Sequence, residues 1–258
     1  MKILITGLNG TLAPILKTVL LSQGMEVISW DRSQVCPNNE EDSLSFLQSV
    51  QPQQICHLAM GSENWARLLA KYSKNNDIGF LFTSTAMVFD SKENGPYQPT
   101  TKRTAEDDYG KYKIRCEDAI LGANDKTIIA RIGWQIGKKR GGNNMLEFLY
   151  NTVEKDGVIR ASRKWFPATS FMEDTCGVLL HLMIENKPGV YHIDSNKNCR
   201  LNFFDIVCKL RKMHATNWQV EPNDEYQHDQ RLLDDRINIV SLMDRLPLYQ
   251  DSNIDRSS

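Results

Sequence analysis

A short apolar run that breaks into a glycine-rich turn constrains this chain more than any other feature. It reads Lys2-Ile3-Leu4-Ile5-Thr6-Gly7-Leu8-Asn9-Gly10-Thr11-Leu12-Ala13. Such a run, bounded by Thr-Gly, is the pattern of a strand buried on both faces of a parallel sheet. Gly7 permits the tight turn, Gly10 lets a pyrophosphate approach the backbone, and Ala13 is small enough for the next helix to pack on the strand. That helix carries Leu16, Val19, Leu20 and Leu21 and stops at Gly24. Its N-terminus would offer unpaired N–H groups and a positive dipole end to phosphate. The expected cofactor contacts in this turn are Gly7, Asn9, Gly10, Thr11 and Leu12.

Strand-like and helix-like stretches then alternate. Apolar strands are expected at 26–30, 54–58, 79–83 and 127–131, with amphipathic helices around Leu44–Val50 and Trp65–Tyr72 and another ending near Leu121-Gly122. The alternation predicts an α/β fold, a Rossmann-like doubly wound parallel sheet with ligands at the carboxyl ends of its strands. At the end of the second strand stand Asp31 and Arg32. A carboxylate there accepts from an adenosine ribose, and an arginine holds a 2′-phosphate, so NADH and NADPH both stay open. Beyond about residue 135 the pattern loosens into a smaller mixed substrate lobe. The expected division is 1–135 for the cofactor and 136–258 for the substrate, with segments around 158–192 returning to the main sheet. The last residues, 251–258, are expected to fray.

Bulk properties narrow the function classes. A net charge of −1 gives no basic footprint for nucleic acid and no polybasic membrane patch. No stretch approaches the length of a membrane span, and the opening apolar run is too short for a signal peptide. The six cysteines lack Cys-x-x-Cys spacing and the five histidines lack ligand spacing, so reduced thiols, a cytoplasmic location and no metal are expected.

The chemistry centres on Asp108-Tyr109-Gly110-Lys111-Tyr112-Lys113. A tyrosine four residues before a lysine places phenol and ammonium on one helix face. The ammonium is expected to favour phenolate and lower the phenol pKa toward working pH, making an acid–base device.

Together these residues resemble the extended short-chain dehydrogenase/reductase superfamily. Thr6-Gly7-x-x-Gly10-x-x-Ala13 is similar to its cofactor fingerprint, Tyr109-x-x-x-Lys113 to its catalytic element, and Ser84–Asp90 to the strand end bearing its catalytic hydroxyl. Within it, the chain resembles the dTDP-4-dehydrorhamnose reductases in Ser84-Thr85-Ala86-Met87-Val88-Phe89-Asp90, Arg131-Ile132-Gly133-Trp134 and Gly142-Asn143-Asn144. The resemblance implies NADPH- or NADH-dependent reduction of a nucleotide-linked 4-keto-6-deoxysugar in polysaccharide or antibiotic-sugar synthesis. Tyr109 would deliver the proton, Lys113 would tune it and hold the nicotinamide ribose, and Thr85 would polarise the carbonyl. Leu58, Ala59 and Met60 would form the wall beside the cofactor. Substrate contacts are expected from Thr85, Met87, Arg131, Trp134 and Asn144. Arg131 suits a diphosphate anchor or an internal salt bridge equally, and Trp134 suits a sugar wall or a core position.

The chain departs from this pattern between Ala59 and Trp65, where the family carries an additional helix involved in substrate contacts and, in some members, in a metal-linked dimer. Neither those substrate contacts nor that metal-linked dimer follows for this chain from the resemblance; a homodimer stands as a separate expectation. An epimerase of the same superfamily and a catalytically silent NAD(P)-binding subunit are the alternatives. Ala86 and Met87, where dehydratases want an acidic pair, argue against dehydration.

Overall fold

The structure is a computed structural model and describes residues 1–246. The first half runs β1 (Lys2–Thr6), α1 (Ala13–Ser22), β2 (Glu26–Ser29), α2 (Glu40–Val50), β3 (Gln54–His57), α3 (Glu63–Asn75), β4 (Gly79–Thr85), α4 (Asp108–Ala123) and β5 (Ile128–Ile132). The second half runs β6 (Trp134–Ile136), α5 (Met145–Asp156), β7 (Val158–Ser162), β8 (Trp165–Phe166), β9 (Thr169–Phe171), α6 (Met172–Glu185), β10 (Gly189–Ile193), α7 (Phe203–Met213), β11 (Gln219–Asn223), β12 (His228–Asp229) and α8 (Leu242–Arg245).

Six strands form one sheet in the order β10-β5-β4-β3-β1-β2, and every neighbouring pair is parallel. The fold is thus the expected Rossmann-like α/β architecture. Side-chain alternation explains why both faces are covered. Ile3, Ile5, Leu81 and Ile128 point to a cluster with α1 and α6, while Leu4, Ile55, Phe80, Phe82 and Ile129 point to one with α3 and α4. All nine are fully buried, and strands apolar on both faces read as the continuous runs seen in the sequence.

The sheet order reverses at β1, which lies between β2 and β3. Connections leaving β1 and β3 diverge to opposite sides, and the crevice outside their carboxyl ends is where such folds bind ligands. Register places Thr6 beside His57 and Thr85 beside Ile132, so these residues share one edge of the sheet.

The second half builds its own apolar cluster from Ile136, Leu146, Leu149, Ile159, Phe203 and Leu210. Its two-stranded ladders pair β6 with β9, β7 with β11 and β8 with β12, whereas β10 lies in the main sheet beside β5. Strands of two or three residues are too short to show a period, and β6, β8 and β9 escape sequence reading for that reason. Helix α5 runs to Asp156, where Gly157 adopts φ 73° and closes it. The fraying expected for 251–258 lies outside the described residues.

Candidate active site

The glycine turn is built for close approach. Gly7 sits at φ +82°, and a Cβ there would lie 3.0 Å from the Ala59 backbone. Gly10 donates its N–H to the Gly7 carbonyl at 2.8 Å, which tightens the loop. The N-terminus of α1 carries no side-chain cap, so no protein side chain competes there for a bound anion. These features fit a dinucleotide pyrophosphate.

Behind the turn, Thr6 and His57 stitch β1 to β3 at the switch point. The Thr6 hydroxyl accepts from the Leu58 and Ala59 N–H groups at 3.2 and 3.1 Å. Its own proton is therefore free for His57 Nδ1, 2.7 Å away, and the imidazole is the neutral Nε2–H tautomer. Burial, with the Lys113 and Arg32 charges adding to it, holds the His57 pKa down at about 3. His57 is a fixture that sets the course of residues 58–60 and is not an acid or base.

The candidate proton-transfer group lies where α4 meets the end of β4. Asp107 caps α4 by accepting from the Gly110 N–H at 2.8 Å. Gly110 then lets the helix come close, since a Cβ there would lie 2.2 Å from the Met87 carbonyl and 2.5 Å from Ala105 Cβ. Thr85 ends β4, and its hydroxyl accepts from the Met87 N–H at 3.2 Å. The Thr85 hydroxyl is close enough to the Tyr109 phenol to favour its ionised form. One turn on, the Lys113 ammonium is 3% exposed, donates to the Thr83 carbonyl at 2.9 Å and lies 4.6 Å over the Phe82 ring. Three large apolar groups stay exposed along these strand ends, Met60 at 48%, Met87 at 41% and Tyr109 at 39%. A cluster of that kind marks a ligand surface more than a free one.

The electrostatics correct one expectation. The Tyr109 pKa is raised, chiefly by burial, with the Thr85 hydroxyl acting the other way. Lys113 does not act as the lowering charge, because its ammonium is 6.0 Å from the Tyr109 ring centroid and is spent on a carbonyl. Desolvation instead lowers the Lys113 pKa itself to about 8, with Cys116 and Glu117 opposing. The phenol is therefore held protonated, which suits a donor.

The family model of the RmlD substrate binding domain matches residues 1–232. The chain belongs to that family. It is 26% identical over 215 residues to the spore coat polysaccharide biosynthesis protein SpsK of Bacillus subtilis, covering 77% of this chain and 75% of the relative. It is 23% identical over 212 residues to the dTDP-4-dehydrorhamnose reductase of Mycolicibacterium smegmatis, covering 74% and 63%. The dTDP-4-dehydrorhamnose reductase of Bacillus anthracis, crystallised in complex with NADP, superposes with a TM-score of 0.80 at 18% identity, covering 93% of this chain and 95% of that one. Membership of the extended short-chain dehydrogenase/reductase group fits all three.

The substrate candidates and nearby cations of this RmlD-family chain find protein partners of their own. Arg131 is buried, bonded through Nε and Nη2 to Glu117 at 3.0 and 2.8 Å, with Nη1 on the Pro99 carbonyl at 3.3 Å. It is the internal salt bridge and not a diphosphate anchor, because Glu117 on α4 faces β5 and claims the guanidinium. Asn144 is the N-cap of α5; its Oδ1 accepts from the Glu147 N–H at 3.0 Å and its Nδ2 donates to Gly141. That side chain is committed to the helix end, so the expected substrate contact is corrected to a cap. Trp134 is half-buried against Phe148, Trp165 and Phe203 at centroid distances of 5.1, 6.0 and 6.0 Å. Lys138 pairs with Glu173 and Arg140 with Glu147 and Glu154, as a solvated charge run does. Arg231 and Arg236 fold back on Asp229 and Asp234.

At the ribose end, Asp31 accepts from the Ser33 N–H and hydroxyl at 2.9 and 2.7 Å, which holds its carboxyl below the usual range. Arg32 donates to the Met60 carbonyl and stacks 5.0 Å over Trp65. Thr11 accepts from the Asn143 N–H at 2.9 Å, so a strap from the second half crosses the glycine turn. Sequence reading missed Glu117, whose partner is fourteen residues away, and Tyr112, whose signal was its place one turn beyond Tyr109. Among the described residues no cluster of His, Cys, Asp or Glu could hold a metal ion.

Proposed function

We propose that this chain is an NADH- or NADPH-dependent reductase of a nucleotide-linked 4-keto-6-deoxysugar, working in polysaccharide biosynthesis. The observation that carries the reading is the Tyr109 phenol placed beside Thr85 at the carboxyl end of β4, with Lys113 buried one turn behind and donating to the Thr83 carbonyl. The reductase named among its relatives and the NADP named with its structural neighbour support the same reading.

A reduced nicotinamide, when bound, supplies the hydride. Gly7, Asn9, Gly10, Thr11 and Leu12 would hold its pyrophosphate, Asp31 and Arg32 its adenosine ribose, and Leu58, Ala59 and Met60 would keep water from its ring side. Tyr109 donates its phenolic proton to the sugar carbonyl oxygen as negative charge builds there. A phenol whose pKa burial has raised keeps that proton until an alkoxide, the stronger base, takes it. Thr85 donates to the same oxygen, an interaction that strengthens in the transition state. Lys113 sits where it would restore charge balance once phenolate forms. Met87 and Trp134 would line the sugar side. Residues 1–135 serve the cofactor in this reading and 136–258 close over the substrate.

Tyr109→Phe tests the assignment. Consumption of NADPH or NADH in the presence of keto-sugar nucleotides is expected to drop by at least about a hundredfold, while cofactor binding persists. Retained turnover in that variant would falsify the mechanism. An epimerase would show no net cofactor consumption.

A further inference from the structure

Tyr112 has no part in the reaction proposed above, yet it occupies the same helix face. Tyr109, Tyr112, Lys113 and Cys116 follow the i, i+3, i+4, i+7 rule on α4. The Tyr112 hydroxyl accepts from the Gly61 N–H at 3.1 Å. Its ring centroid lies 6.0 Å from the Lys113 ammonium.

Gly61 belongs to the short passage between β3 and α3. That passage has few anchors of its own, and they converge within a few residues. Ser62 caps α3 by accepting from the Trp65 N–H at 3.2 Å. A Cβ on Gly61 would lie 2.5 Å from Trp65 Cε3, so the backbone is pressed onto a fully buried indole. Arg32 holds the Met60 carbonyl from the other side. Two residues earlier, Ala59 touches the Gly7 turn. The tether from Tyr112 to Gly61 therefore fixes a loop in contact with the pyrophosphate turn, and the same tyrosine neighbours the lysine of the proton-transfer pair.

We propose that Tyr112 is a positioning residue that holds the Ala59–Gly61 wall against the cofactor. The inference rests on the reductase reading. It assigns to Tyr112 an effect on cofactor binding and not on the chemical step. The hydroxyl is the part that acts, and the ring packs between Lys113 and the loop.

Titration of the full chain with NADPH and NADH, followed by nicotinamide fluorescence, tests this without turnover. Tyr112→Phe keeps the ring and removes the tether. It is expected to weaken binding of the preferred cofactor about fivefold and to raise its KM by the same factor, with kcat and the sugar KM within twofold of wild type. A variant that merely loosened the fold would lower kcat through the active fraction and leave the cofactor KM alone. Gly61→Ala provides a second route, since its methyl must move the loop off Trp65 while Tyr112 is intact. The same cofactor-selective loss is expected. Wild-type affinity in both variants overturns the tether while leaving the reductase reading standing. A wild-type chain that binds neither cofactor overturns both.

Discussion

Lys113 and Arg131 are buried cations on adjacent elements, and they keep different company. The Arg131 guanidinium lies against the fully buried Glu117 carboxylate, which also bonds Ser84 and Arg103. The Lys113 ammonium has a carbonyl and three aromatic faces around it, the nearest being Phe82 at 4.6 Å. Burial of a charge is costly unless it is paired. Arg131 meets that condition within the fold. Lys113 meets it only in part, which is why its pKa falls to about 8. A charge left partly unbalanced is a candidate for function, and one fully matched is a candidate for the scaffold.

The largest expected effect separates the two residues. Lys113→Met should reduce turnover by about a hundredfold or more without lowering the urea midpoint of unfolding, because it removes a poorly compensated buried charge. An unfolding midpoint that collapses in this variant breaks the contrast. Arg131→Met should do the opposite and cost about 3–5 kcal/mol of stability, because Glu117 loses its main partner in the interior. Arg103, 3.1 Å from the same carboxylate, holds the loss toward the lower end. Denaturant unfolding measures it, and a stable Arg131→Met protein with poor sugar binding would restore the anchor role to Arg131.

The smallest effect is a pH limb. With Lys113 titrating near 8, the rate should fall by about tenfold between pH 7 and pH 9 as the ammonium is lost. The sign for stability runs the other way. The folded-state pKa lies below the ordinary lysine value of 10.5, so between pH 8 and 10.5 the unfolded chain binds more protons. Wild-type stability should rise over that window relative to Lys113→Met. A flat difference between the two proteins would place the lysine in water.

What the sequence disclosed followed from local physics. The strand from Ile3 to Thr6, the turn at Gly7 and Gly10 and the spacing of Tyr109 to Lys113 are all set within a dozen residues of chain. The ladders of the second half, two to five residues long, are held by partners distant in the chain and leave no period to read. The same limit applies to the site. Burial of Tyr109 is a tertiary property, so the direction of its pKa was not legible from a lysine four residues away. Arg131 with Glu117 and Asn144 with α5 were each settled by a neighbour that only folding supplies.

Gly110 has a consequence for how this active site can vary. With the Met87 carbonyl and Ala105 already inside the space of a methyl group, the spacing between proton donor and Thr85 is written in backbone. Side chains such as Met87 and Trp134 can be exchanged one at a time to suit another sugar. Position 110 has no such latitude, because any side chain there lifts the tyrosine-bearing turn away from every substrate alike. In the proposed reaction the sugar contacts can thus change while the placement of the proton donor stays fixed by a single missing carbon.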